Sequence, residues 1–306
     1  MQKQVMSLVG FSSAVEIAAY KAAFPHMHYE LAYTMSRMLL SEVVPMLSGS
    51  IASVHACCPS LPIFPNFGSH DPSVLAESYD AIIQSFETAQ SCNADIVVLH
   101  PGYVSDWSMP SSNATRKKLL DDPVFSKYIA HADGAICNSD YPNQEVYRYH
   151  ASQAIQELEN VARIAKSYGV RLAVENLNPR VGYLFQTPWE MEQLAALRDV
   201  YLCLDVGHLW ISSFVYEFPY LPAIQRILAT GKVVNCHLHS NATNASKNRF
   251  SDDHHTFDKH GFPARQVLEL LVETSANLVL ETVEEFDYNT LYLLQEIAAI
   301  RSIDKE

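Results

Sequence analysis

The feature that most constrains this chain is a rhythm. Eight short apolar runs alternate with stretches of helical periodicity, which is the pattern of repeated βα units around a parallel sheet. The runs are Met6–Phe11, Met27–Leu31, Ile51–His55, Ile96–His100, Val170–Glu175, Val200–Asp205, Val233–His237 and Leu278–Glu281. Helices are expected over about 13–23, 34–47, 73–92, 143–168, 188–197, 220–230, 263–274 and 287–301. Eight units favour a closed barrel over an open doubly wound sheet, and no GxGxxG follows the first run to support dinucleotide binding. The expected fold is one α/β domain over 1–306, a single (β/α)8 TIM barrel. Segment 102–142 breaks the rhythm and is too long for an ordinary connection, so it reads as an insertion or lid.

The ends of the runs carry the chemistry. His55, His100, Glu175, Asp205, His237 and Glu281 close their runs, and His208 stands three residues beyond Asp205. In Leu202–His208 the strand ends at Asp205, Gly207 is read as turning the backbone, and His208 follows. In a barrel all strand C-termini emerge on one rim, so residues dispersed in sequence converge. Asp252 and His254, in the polar loop 240–261, share one side of an extended segment by two-residue alternation. Crowding four carboxylates at one mouth is costly without cations to neutralise them. Imidazoles and carboxylates suit zinc, manganese or iron. The six cysteines form no CxxC pair and read as buried small hydrophobes. His26, His70, His131 and His150 are assigned to the surface, Glu30 is placed where it can face the mouth, and His239 beside the ligands.

Net charge is −13, from 34 acidic and 21 basic residues. Nucleic-acid binders normally carry a basic footprint, so a small-molecule substrate is favoured over DNA. No apolar run approaches the roughly 20 residues that span a bilayer. Residues 1–16 lack the apolar core of a secretory signal, and the expected location is cytoplasmic. Oligomeric state is not legible.

The strings VVLHPG (97–102), LAVEN (172–176), LCLDVGH (202–208), CHLHSN (236–241), DDHH (252–255) and LVLET (278–282) together resemble the xylose isomerase-like barrel superfamily, in particular its endonuclease IV branch (AP endonuclease family 2). The resemblance covers about 51–285 and implies three zinc ions. His55, His100 and Glu175 would hold one. Glu175 would bridge to a second, completed by Asp205, His237 and Glu281. His208, Asp252 and His254 would hold the third. Sugar isomerases and epimerases of the superfamily keep one metal, so the DxxH and DxH pairs point to phosphodiester hydrolysis. The chain also departs from the branch. Val9–Ser12 replaces its Gly-His-Val-Ser first strand, and His55–Ser60 lacks its polar-Tyr-Leu run. Asp258–Gly261 replaces its Gly-Glu-Gly, and the insertion is additional. The resemblance thus implies a retained zinc centre with rebuilt DNA-reading surfaces.

The leading expectation is a metal-dependent phosphodiesterase with two or three ions, Glu175 bridging and Glu281 orienting the attacking water, acting on a non-DNA substrate. A cobamide nucleotide loop is one candidate, because a cobamide-remodelling phosphodiesterase belongs to the superfamily. Trp107, Arg116, Lys117 and Lys118 in the insertion, together with Asn176, are the expected substrate contacts. The alternatives are an abasic-site DNA endonuclease, a one-metal sugar isomerase or epimerase, and a metal-dependent binding barrel without turnover.

Overall fold

The computed structural model describes residues 2–303, the side chains of Asn113, Leu119 and Ile303 excepted. Eight parallel strands close on themselves: β1 (Gln4–Ser7), β2 (His28–Leu31), β3 (Ile51–His55), β4 (Ile96–Leu99), β5 (Arg171–Glu175), β6 (Val200–Asp205), β7 (Val233–Leu238) and β8 (Asn277–Leu280). β8 pairs back onto β1. The chain is therefore a (β/α)8 barrel, as its rhythm predicts.

Strand alternation sorts the side chains. Leu172 and Val174, Leu202 and Leu204, and Leu278 and Leu280 join the main apolar core beneath the helices. On the opposite face Ile96, Val98, Ala173 and Cys203 form a separate small cluster inside the barrel. Following that inward face to the strand ends leads to Glu175 and Asp205, and register places His237 directly opposite Asp205. The polar rim is thus the continuation of the barrel's own lining.

Most helices begin where the sequence signals them. Ser13, Ser36, Asp71 and Thr187 cap Ala14–Ala23, Arg37–Met46, Pro72–Cys92 and Pro188–Ala195 by accepting from backbone N–H groups. One helix escapes the periodicity: Val206–Val215 follows β6 with no loop between. Its sequence, VGHLWISSFV, is buried on most sides, so no polar face marks it. Asp205 is both the last residue of β6 and the helix cap, its Oδ1 accepting from the His208 N–H at 2.6 Å. Gly207 therefore lies inside a helix and makes no turn. The reason for a glycine is steric, since a Cβ there would lie 2.2 Å from Cε1 of His239.

The insertion has structure of its own. Met109–Pro110 pairs antiparallel with Ile63–Phe64 in the loop after β3, and Ile129–His131 pairs with Ile136–Cys137. Short helices span Asn113–Leu119 and Pro123–Ser126. Bridges Tyr103↔Tyr183 and Ile136↔Arg180 tie the insertion to the loop after β5. Among the described residues no helix is long and apolar enough to cross a membrane.

Candidate metal centre

All nine expected ligands meet at the C-terminal mouth, in groups whose ligand atoms lie within 4.8 Å of one another: His55, His100 and Glu175; Glu175, Asp205, His237 and Glu281, which shares Glu175 with the first; and His208, Asp252 and His254 with His239, which shares no residue with either. The fold delivers them from different positions. His55, Glu175 and Asp205 end their strands, His237 lies one residue inside β7, and His100 and Glu281 follow β4 and β8 directly. His208 rides the first turn of Val206–Val215. Asp252 and His254 come from the loop after β7, but extended alternation does not bring them together. His254 has φ 49°, in the left-handed region, and the loop turns there. That conformation costs an ordinary residue roughly 1–2 kcal/mol, and hydrogen bonds hold it: His254 Nδ1 lies 2.9 Å from the Glu281 carbonyl, and the Val283 N–H donates to the His254 carbonyl at 3.1 Å.

The distances test whether these side chains fit a cation. Imidazole–carboxylate hydrogen bonds run about 2.7–2.9 Å, whereas two ligands about 2.0–2.1 Å from one tetrahedral zinc stand about 3.3–3.4 Å apart. Here His55 Nε2 and His100 Nε2 lie 3.3 and 3.4 Å from Glu175 Oε2. His208 Nε2 and His254 Nε2 lie 3.3 and 3.4 Å from the two oxygens of Asp252. His237 Nδ1 stands 3.1 Å from Glu281 Oε2 and 3.6 Å from Glu175 Oε1. Both carboxylate oxygens of Glu175 and the Nδ1 of His237 are buried without a hydrogen-bond partner. Fully buried polar atoms are rarely left so, and a shared cation would satisfy them.

The far nitrogens support the same fit. The Nδ1 atoms of His55, His208 and His254 lie 2.7, 3.0 and 2.9 Å from the carbonyls of Ala56, Asn176 and Glu281. A carbonyl can only accept, so Nδ1 carries the proton and Nε2 presents its lone pair to the cage. His237 is held differently: its Nε2 lies 3.1 Å from Oε1 of Glu30. Glu30 is anchored through Oε2 by Ser53 Oγ at 2.7 Å and Asn235 Nδ2 at 2.9 Å. This is the carboxylate–histidine–metal arrangement, with Nδ1 as the ligand.

Burial disfavours charge on His208 and His237, yet Asp205 and Asp252 hold the first well above the ordinary histidine range, and Cys203, Glu281, Glu30 and Glu175 hold the second there. His254 is pushed up to about 9 against its burial, by Asp252 and Glu281. Burial alone would raise Glu175 and Asp252, but His237 and His208 respectively hold them well below the usual carboxylate range. His100 goes the other way, because its burial outweighs Glu175.

Several expectations are corrected. Asn176 is buried and clamps the Asp205 backbone at both ends, its Nδ2 donating to the carbonyl and its Oδ1 accepting from the N–H, each at 2.9 Å. It positions Asp205 and does not face the cavity. Of the insertion's candidates, only Arg116 lines the mouth. Lys117 and Lys118 lie on the exposed face, and Trp107, 40% exposed, packs edge-on against Phe125. His150 is buried, its Nδ1 2.7 Å from the Gly68 carbonyl. His239 is closer to the chemistry than a neighbour's role suggests. Its Nε2 lies 3.1 Å from both oxygens of Asp205, and its ring stacks on His254 at 3.8 Å. Tyr33, Arg180 and Tyr183 also line the mouth, and sequence reasoning missed them because no strand-end position marks them.

An uncharacterized protein of Methanocaldococcus jannaschii, MJ1614, is 22% identical over 176 residues, 58% of this chain, and the match spans about half (52%) of that protein's length. Among solved structures, a D-tagatose 3-epimerase-like protein aligns with a TM-score of 0.69 at 18% identity, covering 98% of this chain and 99% of its own. D-psicose 3-epimerase from Clostridium cellulolyticum H10 aligns with a TM-score of 0.60 at 13% identity, covering 99% and 98%. At such identities these likenesses establish the fold. The family model described as xylose isomerase-like TIM barrel matches residues 47–303, and the chain belongs to that family.

Proposed function

We propose that this chain is a divalent-metal-dependent hydrolase of a small phosphodiester. The observation that carries this reading is the third ligand group. A one-metal isomerase needs only a cage such as Glu175, Asp205, His237 and Glu281, whereas here His208, Asp252 and His254 build a further cage beside it. Bound divalent cations would supply Lewis acidity and water activation. The chain's own groups do the rest. Glu175 borders two cages, and Asp205 is fixed by Asn176 and His239. Glu281 lines the cavity and is the carboxylate placed to take a proton from the attacking water. The water oxygen would bond to phosphorus as Glu281 takes its proton, the bond to the departing alkoxide would break, and that oxygen would take a proton from solvent. The products are a phosphomonoester and an alcohol. Elemental analysis should find two or three ions per chain, and the loaded protein should release 4-nitrophenol from methyl 4-nitrophenyl phosphate.

A sugar isomerase or epimerase is the second reading, and the solved neighbours favour it over the first, since those described above are named as 3-epimerases. Under it, Glu175 and Glu281 would exchange protons with substrate carbon while one cation is held. One ion per chain with interconversion of ketoses, and no 4-nitrophenol release, would establish this second reading. The abasic-site DNA reading is weaker, because the chain carries −13 net charge and DNA binding draws on neutralisation of phosphates by Lys and Arg. The cobamide reading requires the corrin ring to stay outside a cavity of about 220 Å³.

A further inference from the structure

Arg171, Arg226 and Arg265 each pair with a carboxylate. Arg116 pairs with none among the described residues, although it lines the same cavity as the acidic cages. It is nevertheless held in place. Its Nη1 donates to the carbonyls of Pro110 at 2.7 Å and Ser111 at 2.8 Å, and its guanidinium lies 4.9 Å from the Phe64 ring centre. Pairing of Met109–Pro110 with Ile63–Phe64 brings that ring and the Pro110 carbonyl together. Nε is enclosed without a partner, and Nη2 has none either among the described residues. Tyr33 flanks the same phenylalanine. Its ring centre lies 5.4 Å from that of Phe64 at 72°, and 5.3 Å from that of the ligand His55. The Tyr33 hydroxyl also has no hydrogen-bond partner among the described residues, and Tyr33, Phe64 and Arg116 all line the cavity.

We infer that Arg116 and Tyr33 form an anion subsite beside the metal cages, with Arg116 Nη2 and Tyr33 Oη as donors to a phosphate oxygen of the substrate. Charge decides the ligand class. A guanidinium also donates to neutral oxygens, but its hydrogen bonds to an anionic oxygen are roughly twice as strong. Arg116 spends its only protein hydrogen bonds on two carbonyls, so its positive charge stays uncompensated at the cavity wall until an anion arrives. Shape favours phosphate. Its tetrahedral oxygens can meet these donors on one side and still face the cages on another, where bound cations would attract them as well. A phenol at neutral pH keeps its proton and rotates it to suit the acceptor. Two sources offer this chemistry, the non-bridging oxygens of a phosphodiester and the phosphate of a phosphorylated sugar. The subsite therefore does not depend on which reaction the centre performs.

Calorimetry on the zinc-loaded full chain compares three probes: dimethylphosphinate, an uncleavable stand-in for a phosphodiester anion; D-fructose 6-phosphate; and D-fructose, its uncharged counterpart. Wild type should bind at least one anionic probe about tenfold or more tighter than D-fructose. Arg116→Gln should weaken that probe about tenfold or more, and Tyr33→Phe severalfold, with D-fructose binding as in wild type. Arg116→Lys, which keeps the charge but loses the planar fork, should fall between wild type and Arg116→Gln. If Arg116→Gln fails to fold, Arg116→Lys and Tyr33→Phe carry the comparison. Tighter wild-type binding of dimethylphosphinate assigns the subsite to a diester, and tighter binding of D-fructose 6-phosphate assigns it to a sugar phosphate. Equal weakening of all three probes overturns the subsite, as does wild-type binding of both anions by the variants. So does a wild type that prefers neither anion to D-fructose. Release of 4-nitrophenol is a separate measurement, so the subsite and the hydrolase reading fail independently.

Discussion

Gly207→Ala sets two elementary effects against each other. Gly207 is the second residue of Val206–Val215, and alanine inside a helix is better than glycine by about 0.8–1.0 kcal/mol, less near the end. Propensity alone therefore makes the substitution stabilising. The structure predicts the reverse. The new methyl would lie 2.2, 2.5 and 2.6 Å from Cε1, Nδ1 and Nε2 of His239, and His239 has nowhere easy to go. It is buried, its ring stacks on His254 at 3.8 Å, and its Nε2 lies 3.1 Å from the Asp205 carboxylate. Overpacking of this kind costs typically 1–3 kcal/mol, which leaves a net loss of up to about 2 kcal/mol. For a chain of 306 residues that lowers Tm by up to roughly 3 °C. The displaced ring would also disturb Asp205 and His254, and loss of such support typically weakens metal affinity about 10–100-fold. Calorimetry on EDTA-treated protein reads the first effect, and chelator competition reads the second. In a His239→Ala background the clash is gone, so Gly207→Ala there should be neutral or stabilising, and the cycle isolates the contact. A raised Tm with wild-type zinc affinity in the single variant would refute the steric argument.

Three further outcomes follow from the same geometry. Glu175→Gln removes the charge shared by two cages, so elemental analysis should show at least one ion fewer per chain and hydrolysis should vanish; full occupancy with normal turnover would sink the ligand assignment. Glu30→Gln preserves shape but removes the charge 3.1 Å from His237 Nε2, and zinc affinity should fall about 10–100-fold; unchanged affinity in chelator competition rules out the positioning role. The metal-free protein should also be sensitive to alkali. His254 titrates near 9 when folded and near 6.5 when unfolded. Its stabilisation is therefore complete below about 6.5 and is lost as pH rises through about 9. Glu175 and Asp252 are shifted down, so their contribution is present above the ordinary carboxylate range and is lost only in acid. EDTA-treated protein should melt lower at pH 9.5 than at pH 7, and a flat profile between them contradicts the imidazole–carboxylate pairing.

What was legible in the sequence follows from periodicity. Strand-end positions are marked by an apolar run that stops, which is why His55, His100, Glu175, Asp205, His237 and Glu281 stand out together. Helices with one wet face are equally visible. Val206–Val215 is not, because a helix buried on most sides shows no polar stripe, and its hidden start made Gly207 look like a turn. Asn176, expected to touch substrate, directly follows the strand-end Glu175, and its amide bonds the Asp205 backbone instead. Arg180 and Tyr183 sit in an irregular loop where no period predicts direction. For Trp107, Arg116, Lys117 and Lys118, composition suggested a cluster, but only one of the four lines the cavity, since a short helix cannot aim successive side chains at one point.

The distribution of ligands between barrel and loops bears directly on which chemistry the site performs. The cage of Glu175, Asp205, His237 and Glu281 belongs to the strands and their immediate ends, so the barrel builds it with little help from its loops. The third cage has no such origin. His208 depends on a helix that starts without a loop, and Asp252 and His254 depend on a loop that accepts a left-handed residue to turn the imidazole inward. Each is aimed by a backbone carbonyl or amide borrowed from elsewhere, the carbonyls of Asn176 and Glu281 among them. A strained residue persists only where surrounding structure over-determines it, and here the over-determining contacts come from the strand-end ligands themselves. The two cages are therefore coupled. The Asp205 carboxylate accepts from the His208 N–H and lies 3.1 Å from His239 Nε2, and His239 stacks on His254, so a cation in one cage would order the side chains that form the other. A barrel needing one cation has no use for that coupling, which is why the number of ions bound separates the two enzymatic readings more sharply than any likeness of fold.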